Sequence, residues 1–160
     1  MLLDDAGKVS LAEAMATHRV PGVSAAAMVG GQIVWARTWG VADASRGAPA
    51  LPTTMFQAAS VSKAMTAVAT MRMVDQGLFG LDDDVAELID WEPELGGQRV
   101  RITPRQLLSH TAGLGVHGFG GYHRRRAEKL PDTLEILRGT RSNSGKIAVE
   151  APPGASFKYS

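Results

Sequence analysis

The chain has 160 residues, 44% of them hydrophobic and 21% charged, which is enough for a domain with a real core and too apolar for a disordered segment. A net charge of +1 gives no electrostatic ground for binding nucleic acid or an anionic membrane surface. With no cysteine, disulfides, thiolate chemistry and cysteine-ligated metal sites are excluded together, although the compartment is not decided by that.

Met1-Leu2-Leu3-Asp4-Asp5-Ala6-Gly7-Lys8 lacks the basic start and apolar centre of a signal peptide, and no apolar run approaches the roughly 20 residues that span a bilayer. The expected location is therefore the cytoplasm, or the periplasm or exterior if a signal has been removed. Ser10-Leu11-Ala12-Glu13 reads as a capping box opening a short helix, which Pro21-Gly22 ends. Val23 to Val29 and the β-rich run from Gln32 to Trp39 read as two strands, with Gly30-Gly31 as the tight turn. Residues 43–53, with Gly47, Pro49 and Pro52, read as a loop. Val61 to Val74 is apolar on nearly every side and predicts a helix buried in a core, closed by Gly77 at C′.

Asp82, Asp83 and Asp84 suit the first turn of another short helix, where carboxylates complement the dipole; without a glycine-spaced loop a calcium site is the weaker reading. Thr103-Pro104-Arg105-Gln106 is a second capping box with proline at the first helical position, and Gly113 is expected to stop that helix. His110 falls at its end. There it reads as a brace that donates to nearby carbonyls, in preference to a proton-transfer group. Five glycines between Gly113 and Gly121 make a loop, without the strand context of a phosphate-binding loop. His123-Arg124-Arg125-Arg126 reads as a solvated face, since Glu128 follows and the chain is nearly neutral. Asp132-Thr133-Leu134-Glu135 caps a last helix ending near Gly139, and residues 140–156 read as a polar surface excursion. There is no internal repeat and no domain linker.

The chemistry is concentrated at Ser60 and Lys63, the only Ser-x-x-Lys in the chain. Residues at i and i+3 share a helix face, so hydroxyl and amine can meet. Burial of the helix would favour the neutral amine, and a neutral amine beside a serine hydroxyl is a base beside a nucleophile. Backbone N–H groups at the helix N-terminus would lie where an oxyanion forms. Two plainer readings stand beside this one: Ser60 as an N-cap, and Lys63 reaching from the helix end to water.

The surroundings of this pair, Thr54-Met55-Phe56-Gln57-Ala58-Ala59-Ser60-Val61-Ser62-Lys63, resemble the approach to the nucleophile in the serine β-lactamase and penicillin-binding protein superfamily, in its branch of class C β-lactamases, D-aminopeptidases and β-lactamase-fold esterases. Pro21-Gly22-Val23 with Val29 to Val34 resembles the opening hairpin, and Trp39-Gly40-Val41-Ala42-Asp43 its Gly-x-Ala-Asp turn. Leu81-Asp82-Asp83-Asp84-Val85 is similar to the segment after the nucleophile helix, Leu107-Leu108-Ser109-His110-Thr111-Ala112-Gly113-Leu114 to the Leu-Leu-x-His-Thr-x-Gly-Leu signature, and Pro153-Gly154 with Phe157-Lys158-Tyr159-Ser160 to the approach to Tyr-x-Asn.

The resemblance implies an α/β (α+β) fold of β-lactamase/transpeptidase type, with an antiparallel sheet flanked by helices. In it, residues 1–79 supply a sheet portion and the nucleophile helix, 80–150 a helical region, and 151–160 the approach to the tyrosine. It also implies a third element, Lys-Thr-Gly or His-x-Gly, beyond Ser160, so the chain is expected to be the N-terminal portion of a longer hydrolase, truncated before the C-terminal strands.

By the same resemblance Ser60 is the nucleophile, its backbone N–H half of the oxyanion hole, and Lys63 and Tyr159 the proton-handling groups. On residues alone Tyr159 reads instead as a packed aromatic near a chain end with its hydroxyl to water. The implied substrate is an ester, a β-lactam or a D-amino-acid peptide, with no cofactor and no metal. The other readings are a catalytically silent fragment or assembly module pairing through an open sheet edge, and a penicillin sensor that acylates without turnover.

Overall fold

The computed structural model of the chain describes residues 10–115, 130–140 and 145–160. The N-terminal octapeptide, most of the glycine-rich loop and the His123–Arg126 cluster lie outside them. The chain divides into two compact units, Met1–Ala58 and Ala59–Ser160.

The first unit opens with α1 (Leu11–Thr17), whose capping box is complete: the Ser10 hydroxyl accepts the Glu13 N–H, and the Glu13 carboxylate accepts the Ser10 N–H. Strands β1 (Gly22–Val29) and β2 (Gln32–Asp43) pair antiparallel, from Gly22 opposite Gly40 to Val29 opposite Gln32. Gly30 (φ 57°) and Gly31 (φ 80°) make the two-residue turn, both in the left-handed region that a turn matching the strand twist requires.

The Gly40-Val41-Ala42-Asp43 stretch, expected as a turn, continues β2 instead. Gly40 bends it at φ 73°, where a Cβ would meet the Pro21 carbonyl oxygen at 2.1 Å. The 43–53 loop also contains a two-residue strand, β3 (Ala48–Pro49), which gives the sheet the order β1-β2-β3.

In the second unit a single 3-10 turn, Ala59–Val61, leads into α2 (Ser62–Asp75). Its C-terminus closes with the Gly77 N–H on the Val74 carbonyl and the Leu78 N–H on the Met73 carbonyl, Gly77 taking φ 70°. The expectation of a buried helix is corrected. No residue of α2 is fully buried; Ala67, Thr70 and Val74 are half-buried along one stripe, while Met65 and Val68 stand more than 60% exposed. Apolar composition sets what a helix can bury, and neighbours decide what it does bury. Among the described residues those neighbours lie along one side.

The three aspartates have separate duties. The Asp82 carboxylate takes Arg105 Nε and Nη2 at 2.8 and 2.7 Å, Asp83 accepts the Gly80 N–H, and Asp84 caps α3 (Val85–Leu88) while pairing with Arg99 at 2.9 Å. A hairpin of β4 (Glu94–Leu95) and β5 (Gln98–Arg99) follows. Helix α4 (Pro104–Leu108) has both bonds of its Thr103/Gln106 capping box, and α5 (Thr133–Arg138) has both bonds of Asp132/Glu135, ending at Gly139 with φ 71°.

Gly113 does not stop α4; His110 does, at φ 56°. Its N–H bonds to the Leu107 carbonyl and that of Thr111 to the Gln106 carbonyl. The core gathers Val85, Trp91, Ile102, Ala112 and Val149, with Leu107, Leu114, Leu137 and Ile147 packed on it. Val149 is therefore not surface excursion. It bridges to Leu114, and the Glu150 and Ala151 N–H groups bond to the Gly113 carbonyl, so the segment after residue 145 runs beside 110–115.

Candidate active site

Ser60 occupies the 3-10 turn that precedes α2, immediately after Ala59, whose φ of 45° is unusual for a residue with a Cβ. The N-cap of α2 is Val61, with no side-chain bond, so Ser60 is not spent on capping. Its hydroxyl is the meeting point of two other side chains. Lys63, in the first turn of α2, puts Nζ 3.4 Å from Ser60 Oγ, the long end of a hydrogen bond. The Tyr159 hydroxyl, 99 residues further on, donates to the same oxygen at 2.9 Å.

Lys63 and Tyr159 also meet directly, Nζ lying 4.8 Å from the centre of the phenol ring, within reach of cation–π attraction. The structure thus brings together Ser60, Lys63 and Tyr159. Lys63 is exposed and not sunk in a core, so desolvation is not the ground on which its role rests. Charge and hydrogen bonding are. The Tyr159 phenol is held below its ordinary value near 10 by the Ser60 hydroxyl first, then by the Lys63 ammonium as hydrogen-bond donor and as charge, against a smaller opposing effect of desolvation.

Tyr159 reaches Ser60 because its segment is tied to the end of α4. The Gly154 N–H bonds to the Thr111 carbonyl at 2.7 Å, the Lys158 N–H to the His110 carbonyl at 2.8 Å, and the Ser160 N–H to His110 Nδ1 at 3.3 Å. The rings of His110 and Tyr159 lie 4.6 Å apart at 34°, and Phe157 meets the same imidazole edge-on at 5.8 Å. Sequence reasoning had His110 as a brace that donates to carbonyls. It is a brace, but its Nδ1 and its own carbonyl accept. Phe157 stands in the sequence reading only as part of the approach to Tyr-x-Asn, with no contact assigned to it; its place two residues before the tyrosine was the available signal.

A cavity of about 620 Å³ runs from Lys63 and His110 along α2, lined further in by Thr70, Met73, Leu88 and Leu107. Among the described residues no group of three or more metal-ligating side chains converges. No helix there is long and apolar enough to cross a membrane.

The helices and antiparallel sheets place the chain among β-lactamase and penicillin-binding protein-like folds. The chain superposes on the octameric penicillin-binding protein homologue of Pyrococcus abyssi with a TM-score of 0.70 at 30% identity, covering 93% of this chain and 34% of that one. It superposes on EstCE1, described as a hydrolase with promiscuous acyltransferase activity, with a TM-score of 0.68 at 33% identity, covering 93% of this chain and 41% of that one.

The chain belongs to the beta-lactamase family, whose model matches residues 10–160. It is 31% identical to esterase EstB of Burkholderia gladioli over 157 residues, which is 92% of this chain and 40% of the esterase. It is 32% identical to the mitochondrial serine beta-lactamase-like protein LACTB of Mus musculus over 122 residues, 75% of this chain and 22% of LACTB. The chain therefore spans less than half the length of each of these relatives, which make the family serine-hydrolase-like, with an esterase among its members.

Proposed function

We propose that the chain carries the nucleophile and proton-handling groups of a serine hydrolase that works through an acyl-Ser60 ester. The observation that carries this reading is the Ser60 oxygen, within hydrogen-bond reach of both the Tyr159 hydroxyl at 2.9 Å and Lys63 Nζ at 3.4 Å. Serine is a weak nucleophile until a base removes its proton. A phenolate steadied by an ammonium is such a base, and the lowering of the Tyr159 phenol supports this division of labour.

In the acylation step the Ser60 proton passes to the Tyr159 phenolate as Oγ bonds to the substrate carbonyl carbon. The tetrahedral intermediate collapses, the bond to the leaving group breaks, and the leaving group takes the proton from Tyr159. In deacylation water gives a proton to Tyr159, its oxygen bonds to the acyl carbon, and Ser60 leaves reprotonated. The Ser60 backbone N–H is proposed as one donor to the developing oxyanion, a contribution worth on the order of 10²–10³ in rate.

An ester is the favoured substrate over a β-lactam or a D-amino-acid peptide. That preference rests on the esterase of Burkholderia gladioli, 31% identical and matched over 92% of this chain.

Intact-protein mass spectrometry after incubation with a fluorophosphonate, and separately with a penicillin, tests the reading. A fluorophosphonate adduct on the native chain that vanishes in Ser60→Ala is expected. A folded chain that takes no adduct would overturn the reading and leave a silent module. A stable penicillin adduct would move the substrate class from esters to β-lactams.

A further inference from the structure

Tyr159 sits between two residues whose backbone N–H groups are both bonded to one histidine. Lys158 donates to the His110 carbonyl at 2.8 Å, and Ser160 donates to His110 Nδ1 at 3.3 Å. Fixing the backbone on either side of a residue fixes the direction of its Cα–Cβ bond. The imidazole, tilted 34° to the phenol ring at 4.6 Å, then restricts the torsions beyond it.

His110 itself stands at a left-handed backbone position, φ 56°, at the C-terminus of α4. Glycine fills such positions most easily, and a residue with a Cβ is strained there. The strain is borne at a position whose side chain meets Tyr159, Phe157 and the Ser160 N–H together. Because Nδ1 accepts a hydrogen bond, the ring proton of neutral His110 is on Nε2.

We propose that His110 is the positioning residue for Tyr159: its Nδ1 and carbonyl clamp residues 158–160, its ring backs the phenol, and together they hold the phenol oxygen on Ser60 Oγ. This rests on the reading of Tyr159 as the group that takes the Ser60 proton. His110 does not itself take part in proton transfer through Nδ1, which is already occupied by a backbone N–H.

The phenol reports on its own position, because the Ser60 hydroxyl and Lys63 lower its ionisation only when it lies against them. The chain has two tyrosines, so in a Tyr122→Phe background the tyrosinate absorbance near 295 nm belongs to Tyr159 alone. Four chains are titrated: the background, and within it His110→Asn, His110→Gly and His110→Phe. Asparagine tolerates the left-handed backbone and offers an acceptor oxygen close to where Nδ1 lies. Glycine relaxes the backbone, keeps the carbonyl and removes acceptor and ring, while phenylalanine keeps a ring without the acceptor.

The background should ionise below 10, His110→Gly should move up to about 10, the unperturbed phenol, and His110→Asn and His110→Phe, each keeping one of the two side-chain supports, should fall between them. Far-UV circular dichroism matching the background shows that the glycine variant has kept its fold. Unchanged titration in both His110→Gly and His110→Phe would overturn the proposal, as would a background chain that ionises at about 10. If the titrations shift as expected while no fluorophosphonate adduct forms, the positioning stands and the hydrolase reading fails. An adduct forming equally fast in all four chains with unmoved titrations sinks the positioning alone.

Discussion

At Ser60 the division between nucleophile and base is a matter of which side chain supplies charge. Lys63 Nζ is 3.4 Å from the serine oxygen, and the Tyr159 hydroxyl is closer at 2.9 Å. The proposed arrangement has Tyr159 taking the proton and Lys63 keeping the phenolate affordable by its charge. Replacing Lys63 by methionine keeps the length of the side chain and removes that charge. Lys63→Met should raise the Tyr159 ionisation toward 10 and slow fluorophosphonate labelling at neutral pH by about 10²-fold or more, read by time-resolved mass spectrometry. Labelling at the native rate would assign the proton to another group. The Ser-x-x-Lys spacing was legible because i, i+3 geometry is local. The meeting with Tyr159, across 99 residues, came from the resemblance and not from any local pattern.

Capping boxes at Ser10, Thr103 and Asp132 were legible as elements because each is a four-residue rule, and all three formed with both of their bonds. The stop of α4 was not legible. His110 takes a left-handed backbone where Gly113 was expected to, because the ring gains contacts with Phe157 and Tyr159 that no helix rule contains. The α2 helix was misread for a related reason: its apolar circumference says nothing about how many neighbours surround it. Thr103 is the cap whose loss should be felt most, since it is only 5% exposed and its helix ends at His110. Thr103→Ala should cost about 1 kcal/mol, within the usual range of roughly 0.5–2 for such caps, as measured by urea denaturation. A change below a few tenths would mean that packing around Pro104 holds the helix start without the cap.

For the molecule as a whole, the second unit has an identifiable centre in Ile102, which has no exposed surface and lies among Val85, Trp91, Ala112 and Val149. Ile102→Ala should destabilise by about 2–5 kcal/mol in the same denaturation experiment, and a loss under 1 kcal/mol would show that this cluster does not bear the unit's stability. The family was legible because ordered motifs run through most of the chain, and the family model spans residues 10–160. Substrate was not, because motifs report shared nucleophile chemistry, while the residues that select an acyl group vary in type and position. The proposed mechanism is exposed most directly to the pH profile of Ser60 labelling by a fluorophosphonate, in the native chain and in Tyr159→Phe. If the phenolate is the base, the native rate rises as pH climbs through the Tyr159 ionisation, which lies below 10, and levels off above it. In Tyr159→Phe that limb disappears and the plateau rate falls by about 10²–10⁴. A native profile that survives unchanged in Tyr159→Phe would contradict the mechanism and return the proton to Lys63.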